Sequence, residues 1–153
     1  MKRTVLKLTA GLAFGLMFAG SAVAADSGTK PEAIALAKKA AAMYAAQGQE
    51  KTYAEINNKN GQFIDRDMYV FVLNTAGNVT AHGANHNLIG KPLLNLKDAD
   101  GKLFAQELIA VIKSGKSGWV DYKWPNPVTK QIEAKTTYVE PAGDIGFAVG
   151  IYK

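Results

Sequence analysis

The sequence contains no cysteine among its 153 residues. That excludes a disulfide scaffold, Cys-ligated zinc, iron–sulfur clusters, covalently attached haem and an acylated N-terminal cysteine. Histidine is scarce too, with two copies, which leaves little material for a nucleophile–base pair. No Gly-x-Ser-x-Gly elbow and no phosphate-binding glycine loop occurs. No stretch reaches 18 consecutive apolar residues, so no segment reads as a full membrane span. What is present is a 48% apolar chain, enough for the core of one ordinary domain and against intrinsic disorder.

The formal charge of +5 is unevenly placed. Lys2, Arg3 and Lys7 precede an apolar run from Leu8 to Phe18, and Ala22-Val23-Ala24 supplies small residues where a signal peptidase reads. This order predicts a secretory signal peptide over residues 1–24, with an uncleaved anchor as the alternative. Residues 25–30 then form a polar linker and 31–153 the domain, in a mature chain of 129 residues destined for the periplasm. The leader carries three of the 18 basic residues and no acidic one, which leaves 15 against 13, or +2. The remaining lysines are scattered, without the clustered, aromatic-interleaved pattern of a nucleic-acid face. The basic composition is an export label, and no nucleic-acid partner is expected.

Pro31 and Glu32 suit the first turn of a helix, and the Ala- and Lys-rich run Glu32 to Ala46 continues it. Ile34, Ala37, Ala41 and Tyr44 mark its expected face. Gly48 ends or bends that helix before a second piece, Glu50 to Ile56. The period then changes. Met68 to Leu73 reads as a strand buried on both faces, and Val79 to His82 as its hairpin return. Residues 83–101 form a long irregular connection, the kind of loop that carries function or small elements of its own. A helix follows over Lys102 to Lys113, then strands over Trp119–Trp124, Ala134–Val139 and Ile145–Tyr152, with turns at Pro125-Asn126-Pro127 and Pro141 to Asp144. Hairpin-linked strands with helices beside them predict an α+β fold with an antiparallel sheet.

Several segments are more specific in order than any is alone. They are Asp67 to Leu73, Gly77-Asn78-Val79, Ala81-His82, Leu88-Ile89-Gly90-Lys91, Asp98 to Lys102, Gly118 to Pro127, Lys135, Tyr138-Val139 and Gly150-Ile151-Tyr152. Together they resemble the single Cache domain, an extracytoplasmic sensing module of bacterial chemoreceptors and sensor kinases, from about Pro31 to the C-terminus. The resemblance implies a long N-terminal helix packed on a five- to six-stranded PAS-like antiparallel sheet. It implies a pocket on one sheet face for a small ligand, often a short-chain carboxylate. It also implies a membrane receptor or transporter partner, and makes a homodimer through the N-terminal helix plausible. Receptors continue into a membrane helix after the last strand. This sequence stops at Lys153, which reads as a stand-alone secreted version.

Within that frame Lys135 matches the family's lysine, and a fixed ammonium suits a carboxylate. His82 ends a strand before the long loop, and is either a hydrogen-bonded strand-end residue or a ligand donor. Tyr122 is an aromatic with a polar tip, suited to a small polar ligand, whereas Trp124 on the same face reads more simply as core. Tyr69 and Phe71 share a face, so one can line the pocket while the other packs inside. Tyr138 is the weakest candidate, because it does not share a strand face with Lys135. His82 and His86 lie four apart, a zinc spacing only on a helix, which Gly83, Asn85 and Asn87 argue against. Asp98, Asp100 and Gly101 lack the remaining ligands of a calcium loop, and Asn78-Val79-Thr80 is a sequon only in form. No metal, cofactor or catalytic residue is expected. The competing readings are an interaction or ligand-sequestering module and, less favoured, a small hydrolase.

Overall fold

The computed structural model describes residues 26–153; the expected leader and its Ala22-Val23-Ala24 site lie outside the described residues. Helix α1 (Lys30–Asn57) starts as its sequence dictates, with Pro31 in the first turn. Glu32 accepts hydrogen bonds from the Thr29 N–H (2.8 Å) and hydroxyl (2.7 Å), satisfying an otherwise orphaned donor. Gly48 bends the helix rather than ending it: its φ of 81° is open to glycine alone at low cost. Thr52 donates to the Gly48 carbonyl (2.8 Å), and Tyr44 and Tyr53 stack across the bend at 6.2 Å.

Six strands follow: β1 (Ile64–Asp65), β2 (Met68–Asn74), β3 (Val79–His82), β4 (Gly118–Pro125), β5 (Ile132–Ala142) and β6 (Ile145–Tyr152), with α2 (Phe104–Ser114) before β4. All pairings are antiparallel, in the order β1-β2-β6-β5-β4, and β3 also pairs with β2. Helix α1 packs on one face and α2 on the other, with the 83–103 connection beside α2. The expected α+β architecture is therefore present, with the sheet as a middle layer.

Four local expectations need correcting. The closest line of α1 on the sheet is Ala33, Ala37 and Ala40, while Ile34, Ala41 and Tyr44 are half-buried beside it, because only alanines fit at closest approach. β1 was absent from the pattern, being too short for any periodicity. Helix α2 starts at Phe104, since Asp98 Oδ1 holds the Lys102 N–H (2.8 Å) in a turn instead of capping the helix. Pro141 lies inside β5, not in a turn. β4 ends at Gly118 opposite Val139, so Pro141 sits beyond the last rung on that side and interrupts nothing there. The reversal is the two-residue Gly143-Asp144, with Gly143 at φ 63°.

The α2-facing side of the sheet can be written as rows across strands. One runs Tyr152, Lys135, Tyr122; the next runs Gly150, Thr137, Val120; the third runs Phe71, Ala148, Val139, Gly118. Gly146, Ala148 and Gly150 of β6 thus form a shallow trough down the middle. A Cβ at Gly150 would overlap Lys135 Cε and come within 2.7 Å of Thr137 Oγ1. The missing side chain is what lets the lysine lie across β6.

Candidate functional site

Lys135 is the centre of the α2-facing side. Its residue is 1% exposed, although lysine is among the residues least often buried. Its stem crosses Gly150 and its Nζ donates to Tyr69 Oη at 2.8 Å. The ammonium lies 4.2 Å from the centroid of Tyr69, 5.0 Å from Tyr152, 5.7 Å from Phe71 and 5.9 Å from Tyr122. Four ring faces and edges therefore supply the attraction that a cation finds in aromatic surroundings. No ion pair to Lys135 forms among the described residues. Burial pushes its pKa down from 10.5 to about 7, against an opposing pull from the Asp67 carboxylate.

His82 is a hydrogen-bonded residue at the end of β3. Its Nδ1 accepts the N–H groups of Asn85 (2.9 Å) and Ala84 (3.2 Å), so the ring locks the start of the long connection. That places the imidazole proton on Nε2. The ring also stacks on Tyr69 (4.9 Å) and Phe71 (5.6 Å) beside the lysine. Burial, then the nearby Lys135 and His86, hold its pKa down near 3 instead of 6.5. Between those values the unfolded chain binds a proton that the native state refuses. Native stability therefore falls as pH drops from 6.5 toward 3. We expect His82→Asn to flatten that part of a denaturation-midpoint-against-pH profile; an unchanged slope would remove His82 as its source.

Tyr122 donates to, or accepts from, Thr137 Oγ1 at 2.9 Å and stacks on Phe104 at 4.5 Å and 14°. Trp124 is half-buried against Phe104 (5.2 Å) and Tyr122 (6.2 Å). Burial raises the pKa of the Tyr69, Tyr122 and Tyr152 hydroxyls, which keeps them protonated. The result is a pocket rich in hydroxyl and imidazole donors, with the Lys135 amine beside it. Tyr69, Phe71, His82, Phe104, Tyr122 and Trp124 enclose a space of about 10 Å³, room for about one water. An adjoining hollow of about 270 Å³ shares Tyr69, His82 and Trp124 with it and is rimmed by Asn85, Asn126 and Lys130. Asn126 stiffens that rim: its Oδ1 accepts the Val128 N–H (2.9 Å) and its Nδ2 donates to Glu133 (2.8 Å).

Of the seven residues picked from sequence, the structure brings Lys135, His82, Tyr122, Tyr69, Phe71 and Trp124 together. Tyr138 is not among them. It lies on the α1 face, packed on Trp119 (5.3 Å) with its hydroxyl on Glu140 (2.5 Å), because three positions along a strand reverse the face. Sequence reasoning missed Tyr152, Thr137, Phe104 and Asp67. Thr137 shares parity with Lys135 and could have been found; Tyr152 needed the β5–β6 register. His86 is exposed, away from any pairing with His82, and no group of three metal-binding side chains forms among the described residues.

Proteins of known kind share the fold and parts of the sequence. Over 86 residues, 56% of this chain, the sequence is 29% identical to the methyl-accepting chemotaxis protein McpP of Pseudomonas putida. Over 74 residues, 48% of this chain, it is 39% identical to the sensor histidine kinase MctS of Rhizobium johnstonii. Each match spans 16% of the relative's length. A solved methyl-accepting chemotaxis protein from Vibrio parahaemolyticus superposes with a TM-score of 0.63 at 26% identity, covering 78% of this chain and 82% of that one. The pattern of the family Single Cache domain 2 matches residues 22–151. That family's modules bind ligands in sensing and are not enzymes. On fold, pocket and sequence together, the chain belongs to the Single Cache domain 2 family, a family of extracytoplasmic sensory ligand-binding domains.

Proposed function

We propose that this domain senses a short-chain monocarboxylate, bound at Lys135. One observation carries the reading: a fully buried amine, ringed by aromatics and hydrogen-bonded only to Tyr69, for which no described residue supplies an ion-pair partner. A carboxylate supplies the missing charge, and its second oxygen can take a proton from His82 Nε2 or a tyrosine. The apolar walls from Phe71, Phe104 and Trp124 suit a short alkyl tail. The inner space has room for about one water, so the ligand's tail extends into the adjoining hollow of about 270 Å³, which suits a small acid.

The domain organisation supports an exported sensor: a leader over 1–24, a linker over 25–30 and the domain over 31–153, with helix α1 beginning at Lys30. No helix among the described residues is long and apolar enough to cross a membrane. In this proposal output passes to a membrane receptor or transporter, as in sensory relatives, with homodimerisation through α1 as one route. Calorimetric titration with propionate tests the ligand class. Saturable binding accompanied by a rise in Tm is the expected result; no heat and no shift with acetate, propionate and butyrate alike would refute it.

A further inference from the structure

Two buried groups of opposite charge lie near each other, each short of a partner. Lys135 has a phenol oxygen and, among the described residues, no anion in ion-pair contact. Asp67, 3% exposed, accepts the Gly28 N–H on Oδ1 (2.8 Å), while its Oδ2 is buried with no hydrogen-bond partner among the described residues. A buried carboxylate oxygen left unmatched is costly, so its position calls for a compensating charge. Continuing the β2–β6 register beyond Val70 places Asp67 level with Tyr152, and Tyr152 is the partner of Lys135 across β6–β5. Asp67 and Lys135 thus lie in one row on either side of Tyr152. Asp67 is also the group that favours the charged form of the lysine.

Asp67 touches more than the site. Its bond to Gly28 pins the segment that leads into α1, and its neighbour Arg66 pins the same segment more loosely. Arg66 pairs with Glu32 (2.7 Å) and Asp26 (3.4 Å) and donates to the Ser27 carbonyl (3.2 Å). These Arg66 contacts are solvent-exposed and individually weak; the Asp67 bond is the buried one.

We propose that Asp67 is the internal counter-ion of Lys135, and that through it the segment 26–29 responds to a carboxylate bound at the lysine. This rests on the carboxylate reading above. A ligand carboxylate takes the ammonium for itself and adds a second negative charge to the same row, where the low-dielectric surroundings screen it poorly. The Asp67 carboxylate, no longer balanced, turns toward the hollow of about 570 Å³ that it lines together with Ser27, Asn126 and Lys153. In turning it gives up the Gly28 N–H. Occupancy is thereby converted into looser docking at the start of α1. Asp67 acts as a positioning residue, not as a ligand contact.

Hydrogen exchange read by mass spectrometry on the peptide covering residues 26–32 tests this, with and without saturating propionate. In the wild-type protein we expect exchange there to quicken several-fold on binding. In Asp67→Asn the peptide should exchange alike in both conditions, while calorimetry still records propionate binding. Unchanged wild-type exchange with propionate demonstrably bound overturns the inference, and this arm stands even if the variant fails to fold. The same ligand-dependent change persisting in Asp67→Asn also overturns it. Absence of propionate binding overturns the carboxylate reading instead.

Discussion

Lys135→Met in the Asp67→Asn background is expected to weaken propionate binding at least about a hundredfold and, at the same time, to raise Tm by several degrees over Asp67→Asn alone. The two effects have one origin. Methionine keeps most of the stem that crosses Gly150 but removes the amine. The wild-type chain buries that amine at 1% exposure with a single phenol oxygen as partner. Replacing both members of a buried charged pair by uncharged side chains of similar volume is neutral or stabilising, whereas removing the lysine alone would leave the Asp67 carboxylate buried and unbalanced. A ligand carboxylate, by contrast, loses its charge-assisted partner inside a desolvated pocket, an interaction whose truncation typically costs about 2–5 kcal/mol. Most structural lysines would give the reverse pattern, with little change in binding and a small loss in stability. Thermal unfolding and calorimetry on the same preparation separate the two. Retained affinity would remove Lys135 from the site, and a large fall in Tm would show that it holds the sheet together.

The sequence made much of this pocket legible because strands have a period of two. Tyr69 and Phe71 on β2, and Tyr122 and Trp124 on β4, face together by alternation alone. Tyr138 was separable from Lys135 by the same parity, and the structure places it on the opposite face. The residues that escaped are those fixed by register between strands. Tyr152 and Asp67 fall in the lysine's row only because β6 lies between β2 and β5, and nothing local encodes that order. The reversal at Gly143-Asp144 lies two residues past the proline that reads as its start, because β4 had already ended beside it. On α1 the large side chains were the visible pattern, yet the alanines make the closest approach. Periodicity reports which side of an element is apolar, whereas steric fit decides which line of it touches.

Propionate affinity is expected to vary little near pH 6, where the ligand is ionised and the lysine protonated, and to fall steeply above pH 7, approaching tenfold per pH unit. The sign follows from the free protein. Burial holds Lys135 near 7, far below its ordinary 10.5, so above pH 7 most unoccupied sites carry a neutral amine. Binding an anion favours the ammonium, and each ligand must then bring a proton with it. From pH 7 to pH 9 the competent fraction drops from about one half to roughly one hundredth, a loss of about fiftyfold. Stability of the unliganded protein runs the other way. Between pH 7 and 10.5 the unfolded chain holds a proton that native Lys135 has shed, so this group's contribution to stability rises with pH. The Tm increment produced by propionate should therefore shrink across the same window in which the free protein gains. His82, held near 3, is neutral throughout and adds nothing to either slope. Calorimetry at pH 8 in two buffers of different ionisation heat should record uptake of close to one proton per ligand. Affinity constant from pH 7 to 9, with no proton uptake, would show that the carboxylate is held by hydroxyl and imidazole donors alone and that the lysine serves only to shape the trough.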